Sequence, residues 1–276
     1  MIRIKNRQYN ILGGLLGWIW LAIVIIPIYY IVITSLRDQN DIFTENPLSL
    51  PSKPSFEAYR RVFANDFLLY VGNSVFVTLA TVLIILVVSF MASYMIVRRN
   101  DAFSRGVYKI IITGLAIPMQ ATIIPVYYII IQIGLYDTLW AIILPSAAFA
   151  IPISVMILTN FLRDVPQSLF EAMAVDGATE FQTMVKLALP MVKPAIITVL
   201  IYDALNVWNG FLFPLILTQS ASNRVIPLSL WLFQGQFTVD VPGILAAVVI
   251  SVLPILTAYI FGRRQMVAGL TAGFSK

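Results

Sequence analysis

The chain has 276 residues, of which 59% are hydrophobic and only 11% charged, and its net charge is +5. A soluble domain carries about 25% charged residues, so lipid is the expected surroundings for most of this surface. With no Cys and no His, disulfides, thiolate nucleophiles, zinc–thiolate sites and the commonest general base are excluded, and neither a catalytic residue nor a metal site is expected.

A transmembrane helix needs about 20 mostly apolar residues. Six stretches qualify, at approximately 11–34, 70–97, 107–131, 138–162, 194–218 and 241–262. Arg3, Lys5 and Arg7 precede the first. Its apolar run exceeds the ~7–15 residues of a signal core and no A-x-A site follows, so it reads as a retained helix. Residues 37–68 contain Pro47, Pro51 and Pro54 and read as a non-helical connection. Asp137 is the only charged residue from 110 to 162, between the third apolar stretch and the fourth, and the fifth contains one acid, Asp203. Six spans put both termini on one side. The segments on that side (1–10, 98–109, 163–193 and 263–276) hold 13 of the 18 Lys and Arg, against Arg37, Lys53, Arg60, Arg61 and Arg224 opposite. The positive-inside rule makes both termini cytoplasmic.

Residues 163–193 form the long cytoplasmic loop. Ser168 with Glu171, and Thr179 with Gln182, are spaced as capping boxes, each predicting a helix start. Phe170, Met173, Ala174, Gly177, Ala178 and Phe181 make one apolar stripe. Gly177 supplies the φ > 0 that ends the first helix, and Pro190 is expected to end the second. The shape predicted is helix, tight glycine turn, helix. Such an amphipathic, alanine-rich helix suits a groove in a partner protein, and equally an interfacial helix on headgroups.

Glu171-Ala172-Met173-Ala174-Val175-Asp176-Gly177-Ala178, followed by Leu189-Pro190, resembles the EAA motif of ABC importer permeases, with Met173 as the one departure in its first triplet. Asn73-Ser74, Ile117-Pro118, Ile124-Pro125, the segment from Trp208 to Leu215 and the tail Gly269–Gly273 are similar to further positions of the carbohydrate-uptake branch. The smaller six-span subunit of maltose-type importers is the nearest class.

The resemblance implies a type I ABC importer fold: an all-α membrane protein with six transmembrane helices and a cytoplasmic EAA-loop coupling helix, residues 1–276 forming one permease domain. It implies half of the translocation pathway of an ATP-driven, binding-protein-dependent importer for sugars or oligosaccharides. Glu171, Ala172, Ala174, Asp176, Gly177, Ala178, Leu189 and Pro190 would couple to a separate ATPase. None of the six lysines follows a glycine, so this chain has no phosphate loop. It binds no cofactor of its own; ATP and Mg belong to the ATPase. The partners implied are a second, unlike permease, two copies of the cytoplasmic ATPase, an extracytoplasmic solute-binding protein and membrane lipid, with no nucleic acid. The location implied is the bacterial or archaeal cell (inner) membrane.

The outer loop 219–240 contains Gln234, Gly235 and Gln236, which by the same resemblance would reach the binding protein, or else form an ordinary hairpin. Asp203 has Asn206 on its helix face, and Asn209 one turn on. These residues are read either as a polar lining of the translocation path or, for Asp203, as an interhelical hydrogen bond to the other permease. An ion-gradient-driven secondary transporter is the alternative function; Asp203 is its one candidate coupling group, and it leaves the loop motif unused.

Overall fold

The computed structural model describes residues 11–99, 101–233 and 239–274. The elements are α1 (Ile11–Ser35), α2 (Glu57–Ala64), α3 (Phe67–Arg99), α4 (Ala102–Thr113), α5 (Ile123–Gln132), α6 (Leu139–Arg163), α7 (Gln167–Val175), α8 (Glu180–Thr183), α9 (Leu189–Met191), α10 (Lys193–Trp208), α11 (Leu212–Leu217), α12 (Ile226–Ser229) and α13 (Val241–Phe274). No sheet occurs among the described residues, so the chain is an all-α membrane protein. In lipid, a helix satisfies its own backbone, which is why apolar stretches of this length take that form.

Leu12–Ser35, Phe67–Arg99 and Leu139–Arg163 are each long and apolar enough to cross a membrane. Two further expected spans are interrupted, a departure from the continuous stretches read in the sequence. The expected span 107–131 bends by 94° between α4 and α5. The cause is Pro118, which drives Ile117 out of the helical region to φ −86°, ψ 111°. The expected span 194–218 stops at Trp208 and restarts at Leu212. Pro214 cannot donate to the carbonyl of Gly210, but is tolerated in the first turn of α11. Residues 241–257 begin the long α13 as one more apolar helix.

The chain divides into two compact units. The smaller comprises the segment through Asp66 with Leu230–Ile250. Within it the connection after α1 is organised around Arg37, which is 3% exposed. Its Nη2 donates to the carbonyls of Asn46 (2.8 Å) and Ser49 (2.5 Å), and Glu45 lies 3.5 Å from its Nε. Arg61 grips Asp240 through both carboxylate oxygens at 2.9 and 3.0 Å. Asp240 also caps α13, accepting from the Gly243 amide at 3.0 Å, and a Cβ at Gly243 would fall 2.5 Å from that carboxylate.

The larger unit, Phe67–Ser229 with Ser251 onward, holds the main core. There α3 packs along α6, with α10 against both. Ile85, Leu158, Leu162, Phe170, Val192 and Val199 are fully or almost fully buried in one cluster. Ser74, Thr78, Thr81, Ser89 and Ser93 run down one face of α3, all buried. Small residues let membrane helices approach closely, and Ser93 Oγ uses that approach to donate to the Val155 carbonyl at 3.2 Å.

Candidate functional site

The loop between α6 and α10 folds as a helical hairpin of α7 and α8, and its turn is fixed by Gly177. That residue sits at φ +75°. The amide of Gly177 donates to the Ala174 carbonyl (3.1 Å) and that of Ala178 to Met173 (3.0 Å). These two bonds are the Schellman closure, which needs a left-handed residue at the position of Gly177. Thr179 and Gln182 form the expected reciprocal capping box at 3.2 and 2.9 Å. The other expected box does not form: α7 starts two residues earlier, after Pro166, and no side chain caps it. Proline's fixed φ and missing amide make it an adequate start without Ser168, so Glu171 is released from a capping role.

Pro190 does not end the second helix as expected. The chain makes a π turn over Met184–Ala188, passes through α9 and breaks at Val192, where the direction turns by 75° into α10. Widening the turn before a proline relieves the clash of its ring with the preceding carbonyl. Leu189 and Pro190 therefore sit at the elbow joining hairpin and membrane helix.

One side of the hairpin is bolted to the C-terminal end of α3. Phe170 is 2% exposed within the core, and the Arg98 guanidinium lies 4.9 Å over its ring. Arg98 Nη2 donates to Glu180 at 2.8 Å, and the Tyr94 hydroxyl donates to the same carboxylate at 2.6 Å. The other side is bare. Glu171, Ala172, Ala174 and Asp176 are exposed, as are the apolar Val175 (87%) and Phe181 (70%). Glu171 makes no ion pair or side-chain hydrogen bond among the described residues.

A second feature lies where α6, α10 and α11 meet. A cavity of about 250 Å³ is lined by Asp203, Asn206, Tyr202 and Ser146 among apolar and aromatic neighbours. Asp203 is 1% exposed; its Oδ2 accepts from Ser154 on α6 at 2.9 Å, and its Oδ1 has no partner among the described residues. Its interhelical bond is thus made within this chain, to α6. Asn206 lines the cavity with Asp203, its amide donating to the Tyr202 carbonyl at 2.8 Å. Asn209 is apart from it, exposed and bonded to the Leu205 carbonyl.

Residues 85–266 match the family described as the binding-protein-dependent transport system inner membrane component. The chain belongs to that family. It is 38% identical over 258 residues to the ABC transporter permease protein ORF2 of Caldicellulosiruptor sp. (strain Rt8B.4), covering 94% of each chain. It is 30% identical to the multiple sugar-binding transport system permease protein MsmG of Streptococcus mutans, covering 92% of each. The diacetylchitobiose uptake system permease protein NgcG of Streptomyces coelicolor is 27% identical, covering 98% of this chain and 90% of that relative. Its fold is that of a bacterial ABC transporter that imports the acidic polysaccharide alginate: TM-score 0.79, 21% identity, covering 96% of this chain and 98% of the other.

On the opposite side of this permease from the hairpin, the segment after α11 is anchored by side chains of the larger unit. Asn73 donates to the carbonyls of Ser222 (2.7 Å) and Arg224 (2.9 Å), and Ser74 Oγ accepts from the Ile226 amide at 2.9 Å. Asp137 accepts from the amides of Gln219 (2.8 Å) and Ser220 (2.9 Å) and from the Ser220 hydroxyl. The Ser220 hydroxyl and those amides hold the Asp137 carboxyl down at about 2. Gln234, Gly235 and Gln236 lie outside the described residues.

Proposed function

We propose that this chain forms half of the translocation pathway of an ATP-driven importer for sugars or oligosaccharides, and that its cytoplasmic hairpin couples it to a separate ATPase. The observation that carries this is the two-sidedness of the hairpin. Phe170 and Glu180 fix it to α3, while Glu171 and its neighbours present a bare, partly apolar face. A helix so held can receive a push from a partner and pass it into the membrane helices. The sugar reading draws on the relatives whose names specify diacetylchitobiose uptake and multiple-sugar transport. A fold neighbour was solved with an alginate pentasaccharide-bound periplasmic protein, which supports an extracytoplasmic binding protein as a partner here, with residues 234–236 as its contact. A second, unlike permease completes the path. ATP and Mg stay on two ATPase copies; both termini are cytoplasmic, in the inner membrane.

Reconstitution with the partner subunits tests the coupling. Glu171→Ala combined with Gly177→Leu should lower import by about tenfold or more, roughly 1.4 kcal/mol of lost coupling, while the protein still inserts and ATP is still hydrolysed. Import at the normal rate would show that the hairpin does not couple. Import that runs on a proton or sodium gradient without any ATPase would replace the reading with a secondary transporter.

A further inference from the structure

The cavity beside Asp203 combines features that the coupling role does not use. A carboxyl group sits in a membrane helix at 1% exposure, with one oxygen satisfied by Ser154 and the other left without a donor. An acceptor buried this way is costly, and intramembrane carboxyls persist where they face protein cavities or ligands. The rest of the lining supplies hydroxyl and amide groups from Ser146 and Asn206, an aromatic face from Tyr202, and the paired rings of Phe149 and Phe213 with centroids 5.8 Å apart. Among the described residues, no Lys or Arg lines it. This is a set of hydrogen-bonding groups and flat apolar faces with one carboxyl and, among the described residues, no cation.

From this we infer that the cavity is a saccharide subsite contributed by this subunit itself, and that it takes uncharged sugar rings and rejects acidic ones. The inference rests on the sugar-import reading above and narrows it. A sugar hydroxyl donates to the unpartnered oxygen of Asp203, while the ring's C–H face lies on the aromatic side chains. A uronic or sulfonated sugar would bring a second negative charge beside Asp203 with no cation to offset it, in surroundings of low dielectric.

The absence of Cys from the whole chain makes a direct test available. Asn206→Cys puts a single thiol on the cavity wall; Ser146→Cys is the second reporter should the first fail to assemble. The complete transporter, with cysteine-free partner subunits, is reconstituted in mildly alkaline buffer. It is labelled with methanethiosulfonate reagents of similar size and opposite charge. Relative to a free thiol, the cationic reagent should react faster by about tenfold or more, and Asp203→Asn should abolish that preference. Neutral trisaccharides that stimulate ATP hydrolysis through the binding protein should slow the labelling; trisaccharides of uronic acids should not. A charge preference unaltered in Asp203→Asn overturns the inference. So does a neutral sugar that drives ATP hydrolysis without protecting the thiol, or an acidic one that protects equally. If no sugar stimulates hydrolysis, the carbohydrate reading falls, and the subsite with it; sugar-stimulated hydrolysis without protection removes the subsite alone.

Discussion

Glu180 holds two donors from α3 at once, Tyr94 and Arg98, and Arg98 in turn covers the ring of Phe170. The Glu180 side chain is 66% exposed and that of Arg98 19%, so water screens the pair and its worth is modest. A double-mutant cycle of Arg98→Ala and Glu180→Ala, read from unfolding in detergent, should give a coupling energy of about 0.5–1 kcal/mol. Glu180→Gln should keep part of the effect through Tyr94. A coupling energy of zero would mean that the hairpin is held by Phe170 packing alone. At this scale, legibility depended on sequence distance. Gly177 could be read because its turn closes on carbonyls three and five residues back. The Arg98–Glu180 contact spans 82 positions, and nothing local in either residue announces the other. The buried stripe from Ser74 to Ser93 did leave a trace, small polar residues at spacings of three, four and eight, the signature of a close membrane interface.

Among the elements, proline decided where sequence and structure part. Hydropathy marks where a stretch is apolar and is blind to a bend within it. Ile117-Pro118 breaks one span, whereas Pro145 and Pro152 are absorbed inside α6. Pro190, read as a stop, instead follows a π turn, because a widened turn restores room that a regular one lacks. The junction between α5 and α6 shows a different control. Asp137 takes a positive φ of 56° and gathers the segment after α11 through amide donors. Its carboxyl titrates at about 2 against an ordinary 3.8. The depressed value means that the contribution is present above the ordinary value and is lost as pH falls through the lower one. Thermal unfolding in detergent should therefore lose stability between about pH 4 and 2 in the wild type. Asp137→Asn, which tolerates the left-handed backbone, should lower stability at neutral pH and flatten that acid-side slope. An unchanged slope would remove Asp137 from the clasp.

For the molecule as a whole, charge placement and the apolar helices carry the argument together. The side chains of α1 from Leu12 to Ile28 stay exposed, Trp18 by 73% and Trp20 by 68%. In water such a surface would be a liability; against lipid or a second permease it is the expected one. Thirteen of the 18 Lys and Arg fall on the side assigned to the cytoplasm, and cations resist translocation on insertion. The hairpin can meet a cytoplasmic ATPase only if this orientation holds, so orientation is the condition on which the coupling reading stands. Two single cysteines in the cysteine-free chain test it. Phe43, 85% exposed in the connection after α1, belongs outside, and Phe181, 70% exposed on the hairpin, inside. A membrane-impermeant maleimide applied to intact cells should label Phe43→Cys at once and Phe181→Cys only after permeabilisation. The reverse pattern would put the hairpin out of reach of any nucleotide-driven partner, since ATP is inside, and Arg98 and Arg163 would then have crossed the membrane against the charge rule.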